Sequence, residues 1–528
     1  MLTNNLSSVT VTVQSQGKTQ NYIYDKQDSL LEMLQKADVR LTSPCGGRGT
    51  CGKCRIRLLE GTLDITDTDR RFLNEKELDA GIRLACRAYP KKNCTISTDI
   101  GVEEEYLIVS DFQKTGSGEE KNVQTERTGY GIGIDIGTTT IAMQLIELAS
   151  GKLLNTYSSL NRQRRFGADV ISRMKASNAG KGADLKESIQ YDLKTGIMNL
   201  CDSANIKKSK LKQIAIAGNT TMIHLLLGLS CETLGVYPFS PVTVERFADN
   251  ASLLGLCLPD TKVIVFPGIS AFIGGDIVAG LLSCGFDKAE KVSMLVDLGT
   301  NGEMAIGNRE RILCTSAAAG PAFEGGNISC GVGSVSGAIC GVELFKDKIS
   351  LKTIGNQPSC GICGTGIIEA IAELVKAGYI DETGKYEDAY FDEGFSLGKT
   401  TDGKEILITQ KDIREFQMAK AAIYAGMEIL CRRFGIAYEE IDKIYLAGGF
   451  GCQINVRKAA GIGLFPKGLQ EKIQPVGNSS LEGTLLDLSD LSAGMREQEL
   501  AAKAAEFSLA MDSEFQERYM EAMYFRVI

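Results

Sequence analysis

Residues 131–140, G-I-G-I-D-I-G-T-T-T, and residues 294–303, M-L-V-D-L-G-T-N-G-E, share one pattern: an apolar strand running into Asp-x-Gly-Thr and a polar turn. A second matching element follows each of them, I-A-I-A-G-N-T at 214–220 and I-Y-L-A-G-G-F-G at 444–451. Use of the same strand-and-turn pair twice, in the same order, constrains the chain to two similar halves. One Asp-x-Gly-Thr is as readily an ordinary hairpin turn; the ordered set of four elements is not.

Two halves that face each other across a cleft, each presenting such a turn, form a clamp for phosphate. Gly137, Thr138 and Thr139 on one side and Gly299, Thr300 and Asn301 on the other would point amides and hydroxyls at phosphate oxygens. Asp135 and Asp297 would hold Mg2+ or orient water. Gly448 and Gly449 remove side chains where an adenosine would press on the backbone. From about residue 130 onward the chain resembles the superfamily of acetate and sugar kinases, heat-shock chaperones and actin. The resemblance implies an α/β two-lobed actin-like ATPase with duplicated ribonuclease H-like halves, binding ATP with Mg2+. The stretch from Leu446 to Gly451, Phe450 included, matches its adenosine motif.

The N-terminal region carries a different signal. Cys45, Cys51, Cys54 and Cys86 are spaced C-x5-C-x2-C-x31-C, and the loop holding the first three also contains Gly46, Gly47, Gly49 and Gly52. Four thiolates are the ligand set of a 2Fe-2S cluster, and the glycines let a loop turn tightly round it. A zinc site would call for a second C-x2-C or a histidine pair, and residues 1–100 contain no histidine. The alternation Val9-Thr10-Val11-Thr12-Val13, the repeat of that signal at Tyr22-Ile23-Tyr24, and the apolar spacing from Ser29 to Leu34 predict strand, strand, helix and then the cysteine loop. Over roughly residues 6–98 the chain resembles ferredoxins with this cysteine pattern, which implies an α+β ferredoxin-like (β-grasp) domain. Cys94 is read as a buried strand cysteine.

These readings divide the chain into a 2Fe-2S domain over 1–100, a polar linker over 101–129, a first lobe over 130–292 and a second over 293–528. A C-terminal segment of the second lobe could return to the first. The net charge of −8 argues against nucleic acid or an anionic membrane as partner. No apolar run is long enough to span a bilayer, and M-L-T-N-N-L-S-S does not read as a signal peptide. Sixteen cysteines without an export signal fit a reducing, cytoplasmic and anaerobic setting. His224 is the one histidine, which nearly excludes imidazole catalysis.

A ferredoxin joined to this kind of ATPase is a narrow combination. With G-N-T-T-M-I-H-L-L-L-G at 218–228, I-S-A-F-I-G-G-D-I-V-A-G at 269–280 and S-A-A-A-G-P-A-F-E-G-G at 316–326, the whole chain resembles the reductive activators of corrinoid proteins. The resemblance implies ATP-assisted transfer of an electron from the cluster to cobalt(II) of a corrinoid methyl carrier, giving cobalt(I). Its partners would be that corrinoid protein and an upstream electron donor, with a homodimer left open. An activator of another low-potential enzyme, or a small-molecule kinase with a redox module, would be the alternatives.

Four further motifs carry weaker expectations. His224 is read as a packed helix histidine rather than a cobalt ligand. Cys360 and Cys363 could be redox active but read better as incidental thiols in a glycine loop. Glu324 and residues 316–326 could face the corrinoid partner or form a structural turn. Residues 161–173 could touch nucleotide or partner, or could start a helix with Asp169 and Arg173 paired.

Overall fold

The computed structural model describes residues 9–99 and 128–525, except 16, 26, 38, 40, 42–46, 48, 50, 51, 347, 402, 449–453 and 467. The expected linker, 101–129, lies outside the described residues but for 128 and 129. Two compact units result, Met1–Tyr106 with Arg162–Ile189, and Leu107–Asn161 with Gln190–Ile528. The grouping of Arg162–Ile189 with the N-terminal unit departs from the expected first lobe over 130–292. That segment supplies helices and no sheet strand, and Gln35 Nε2 donates to the Arg165 carbonyl at 3.3 Å.

The first unit is built on a five-stranded sheet of β1 (Val9–Ser15), β2 (Lys18–Tyr24), β3 (Arg55–Glu60), β4 (Ile82–Leu84) and β5 (Cys94–Ser97), in the order β2-β1-β5-β3-β4. The alternation in β1 works as period-two burial requires, with Val9, Val11 and Val13 all buried. The helix Leu30–Lys36 starts at Ser29, whose hydroxyl accepts from Glu32 N–H while Glu32 reaches back to Ser29 N–H, a reciprocal cap. Its Leu30, Leu31 and Leu34 fill one core with Ile56, Leu84 and Ile96.

The second unit contains the two related halves. In the first, β6 (Tyr130–Ile136), β7 (Thr140–Glu147) and β8 (Leu153–Leu160) form an antiparallel meander. β9 (Leu211–Gly218) then pairs parallel with β6, and β11 (Lys262–Val265) parallel with β9, with β10 (Phe247–Asn250) at the edge. In the second half, β12 (Ser293–Leu298), β13 (Gly302–Gly307) and β14 (Ile312–Ala317) repeat the meander. An insertion follows, with a sheet of β15 (Ala338–Phe345), β16 (Lys348–Thr353) and β17 (Gly361–Ile362), then a hairpin of β18 (Phe395–Lys399) and β19 (Glu405–Ile408). β20 (Lys443–Ala447) then pairs parallel with β12, and β21 (Ile473–Gly477) with β20, while β22 (Ala504–Glu506) adds to β14.

The strand registers reproduce the repeat in space: Asp135 lies beside Ala217 and Asp297 beside Ala447. The helices that follow β11 and β21, Gly275–Ser283 and Ser479–Ser489, cross each other at small residues. A Cβ on Gly483 would run into the Ala279 backbone, and one on Gly280 would sit 2.8 Å from Ser479 Oγ. The helix Ser479–Ser489 also lies on β6: a Cβ on Gly133 would approach Leu485 Cδ2 to 2.8 Å, and one on Gly131 would approach Leu488 Cδ2 to 3.0 Å. Thus a helix from the end of the chain packs on the first strand of the first half. No helix among the described residues is long and apolar enough to cross a membrane.

Candidate functional site

In the N-terminal unit, Cys54 immediately precedes β3, and Cys86 lies in the turn Ala85–Arg87 that follows β4. β3 and β4 pair with Arg55 opposite Leu84, and Ala85 N–H donates to the Cys54 carbonyl at 2.8 Å. One strand pair therefore holds both cysteines together, and both are buried. Gly47, Gly49 and Gly52 have φ of 83°, 77° and 65°, and a Cβ on Gly49 would meet Arg87 Nε at 2.8 Å. Non-glycine residues rarely adopt that backbone. Two buried cysteines held by one strand pair, beside a loop that turns through left-handed glycines, fit a cluster ligand set. Cys45 and Cys51 lie outside the described residues. Cys94 stands apart in β5 beside Val11, where burial raises its thiol pKa.

In the second unit, each Asp-x-Gly-Thr turn is closed by a bond from its glycine amide, over three residues in the first and two in the second. Gly137 N–H donates to Thr140 O and Gly299 N–H to Asn301 O, both at 2.9 Å. Around the first turn, Asn161 Nδ2 donates to Gly137 O at 2.9 Å, and Asn219 Nδ2 donates to Thr138 Oγ1 at 3.0 Å. Asn219 also caps the helix Thr220–Leu227 through Met222 N–H at 2.9 Å. The Asp135 carboxylate accepts from Asn478 Nδ2 and Ser480 Oγ, both at 2.8 Å, at the start of the helix Ser479–Ser489. At the second turn Asp297 stands opposite Glu303 across the strand pair. Glu324 Oε2 accepts from Thr300 Oγ1 at 2.9 Å and from Thr139 Oγ1 at 3.4 Å.

Four carboxyl groups thus gather beneath the turns, each retaining some exposed surface yet ringed by protein. Burial, then repulsion from Asp135, pushes Asp276 up to about 7. Burial, then Asp276, Asp135 and Glu324, pushes Asp297 up to about 8. Glu303 rises well above the usual carboxylate range through burial and the charges of Asp276 and Asp297. Asp135 is raised by burial too, opposed by its bonds from Asn478 and Ser480. A floor of carboxyls that resist ionising together is a site prepared for positive charge. Among the described residues no three His, Cys, Asp or Glu side chains are arranged to hold a metal directly.

The structure brings Asp135, Gly137, Thr138 and Thr139 to one turn, and Asp297, Gly299, Thr300 and Asn301 to the other. Gly448 lies at the end of β20 with φ 101°, and a Cβ there would meet Leu298 O at 2.5 Å and Asp297 Oδ1 at 2.9 Å. The second turn itself therefore demands a glycine at 448. Gly449 and Phe450 lie outside the described residues. Asp276, Asn219, Asn478 and Ser480 were not singled out by sequence reasoning. Position in the repeat could have found Asn478 and Ser480, since they begin the helix that follows the last parallel strand, as Asp276 does in the first half.

The weaker motifs also find places. Glu324 lies within reach of both Asp-x-Gly-Thr turns, accepting from Thr300 and Thr139. His224 is buried, with Nδ1 2.8 Å from Thr220 O and Nε2 accepting from Val242 N–H at 3.0 Å, so both ring nitrogens are used. Cys363 is buried, 3.1 Å from Thr365 Oγ1, while Cys360 is exposed. Asp169 caps the helix Val170–Ala176 through Ser172 N–H at 2.7 Å, and the buried Arg173 donates from Nε to Gly167 O at 2.9 Å.

Known families match over most of the chain. The 2Fe-2S iron-sulfur cluster binding domain matches residues 13–91, the RACo middle region 130–289, and the C-terminal domain of RACo, the ASKHA domain, 291–527. The corrinoid activation enzyme RamQ of Eubacterium limosum is 36% identical over 426 residues, covering 75% of this chain and 70% of RamQ. The chain belongs to the corrinoid activation enzymes. A second member of this kind, the [Co(II) methylated amine-specific corrinoid protein] reductase of Methanosarcina barkeri, is 29% identical over 394 residues, 67% of this chain and 68% of that one. Among solved structures, a reductive activator for corrinoid, iron-sulfur protein superposes with a TM-score of 0.71 at 27% identity, covering 98% of each chain. The corrinoid activation enzyme fold is thus a ferredoxin-type domain followed by an actin-like ATPase of two related halves.

Proposed function

We propose that this chain uses ATP to pass an electron to the cobalt(II) of a corrinoid protein in a methyltransferase system, regenerating cobalt(I) for methyl transfer. The observation that carries this reading is the presence, in one chain, of a thiolate loop with two buried adjacent cysteines and a pair of phosphate turns in matched register. Cys45, Cys51, Cys54 and Cys86 hold a 2Fe-2S cluster, which supplies one electron at a time at roughly −400 mV. Cobalt(II) in a corrinoid is harder to reduce than that, so an external driving force is required, and an upstream donor must restore the electron.

The second unit provides the force by hydrolysing ATP. Gly137, Thr138 and Thr139 with Gly299, Thr300 and Asn301 orient the phosphates, and the segment 446–451 receives the adenosine. Asp297 and Asp135 would orient the attacking water and would be the groups that hold Mg2+, which would offset the charge of the phosphates. Nucleotide can drive an uphill step only by favouring one conformation or one partner complex over another, and closure of the two halves is the natural two-state element. A cytoplasmic setting, where thiols stay reduced, suits this chemistry.

The proposal is tested by ATPase assays with and without a cobalt(II) corrinoid protein. Slow hydrolysis that rises with that protein is the expected outcome. Asp297→Ala should abolish hydrolysis while the visible spectrum of the cluster stays intact. Hydrolysis at full rate in Asp297→Ala would remove the assigned role.

A further inference from the structure

Glu324 reaches both phosphate turns with one oxygen. Its Oε2 lies 2.9 Å from the hydroxyl of Thr300, in the turn after β12, and 3.4 Å from the hydroxyl of Thr139, in the turn after β6. A threonine hydroxyl has a single proton to donate. A hydroxyl donating to Glu324 therefore cannot donate to a phosphate oxygen as well. The two acceptors are also alike in charge, and a carboxylate repels a triphosphate at this range.

The surrounding turn lets the side chain leave without moving the half it belongs to. The short helix Pro321–Glu324 is flanked by Gly320 and Gly325, with φ of 79° and 78°. Phe323, buried beside it, packs edge-on against Phe416 with ring centroids 5.8 Å apart. That aromatic contact anchors the turn that carries Glu324.

Resting on the ATP reading above, we infer that Glu324 is a positioning residue of the cleft: its carboxylate and the nucleotide phosphates compete for the hydroxyls of Thr139 and Thr300. Bound phosphate replaces Glu324 as the bridge between the halves. Nucleotide binding thereby works against a contact already present in the protein, and the weaker 3.4 Å bond to Thr139 yields first.

The test compares full-length protein with Glu324→Gln. The amide keeps the shape of the side chain but not its charge, so a non-hydrolysable ATP analogue with Mg2+ should bind the variant about tenfold more tightly, since bonds to a charged acceptor are the stronger ones. In protein without nucleotide, amide hydrogen exchange at residues 137–141 and 299–302 should quicken severalfold in the variant, and the difference should vanish with saturating analogue. A purely structural role would weaken binding instead. Unchanged or weaker analogue affinity together with unchanged exchange overturns the competition, and so does unchanged affinity with lost hydrolysis, which would make Glu324 a catalytic base. Failure of the unaltered protein to bind the analogue would instead overturn the ATP reading, a result separable from the exchange measured without nucleotide. Thr139→Val removes one donor and keeps Glu324; it should loosen both turns likewise, so the bridge stays testable if Glu324→Gln does not fold.

Discussion

At the scale of single residues, charge and burial decide most of what the cleft can do. Asp297 and Asp276 keep their protons, at about 8 and about 7, over a range in which an unfolded chain would ionise them. Folded pKa values above unfolded ones mean that stability is full below about 4 and is lost as pH climbs toward 7 and 8. Thermal unfolding should therefore show a midpoint a few degrees higher at pH 6 than at pH 8, with a shallower dependence in Asp276→Asn. Mg2+ should raise the midpoint more at pH 8 than at pH 6, because a cation competes with those protons. The cysteines divide on similar grounds. Cys54→Ser should abolish the 2Fe-2S absorption, whereas Cys94→Ser, at a strand position beside Val11, should preserve it.

The sequence was legible at this scale where residue type and chemistry coincide. The cysteine spacing and the doubled Asp-x-Gly-Thr stand out in the sequence because each pattern lies within a short stretch of chain. Asn478 and Ser480 could be found only from their position in the repeat, and Asp276 could not be read at all, because its place beside Asp135 and Asp297 arises only in the folded chain. Glu324 was visible as a residue, but its place over both turns depends on how β14 leads into the turn at 321–324.

At the scale of elements, the crossing of the helices Gly275–Ser283 and Ser479–Ser489 joins the two halves. Glycine and alanine at the crossing let the backbones approach closely, as Gly483 against Ala279 shows. Gly483→Ala should cost about 1–3 kcal/mol in denaturant unfolding, the usual penalty of overpacking. The same change should slow ATP hydrolysis, because that helix carries Asn478 and Ser480 to Asp135. Wild-type stability together with wild-type hydrolysis would show that the crossing tolerates a methyl group. Gly131 and Gly133 belong to the same argument. In sequence they are unusual residues for a buried strand; in the structure they are the floor on which Leu485 and Leu488 rest. The strands were readable from apolar alternation and repeat, while the return of a helix from the chain's end to β6 required tertiary packing to appear.

At the scale of the molecule, a ferredoxin-type domain and an ATPase of two halves form one chain, and each supplies what the other lacks. A ferredoxin-type cluster alone is too weak a reductant for cobalt(II), and an ATPase alone has no electron to give. The helix Ser479–Ser489 lies on β6 of the first half, and the grouping of Arg162–Ile189 with the N-terminal unit had no signal in the sequence. It depends on where helices pack, which hydrophobic periodicity does not specify. The most direct measurement mixes the reduced full-length protein with a cobalt(II) corrinoid protein and follows the corrinoid absorption with and without MgATP. Appearance of the cobalt(I) band only when ATP is present is the expected result. A spectrum that stays at cobalt(II) with ATP, or that reaches cobalt(I) equally without it, would contradict ATP-driven reduction.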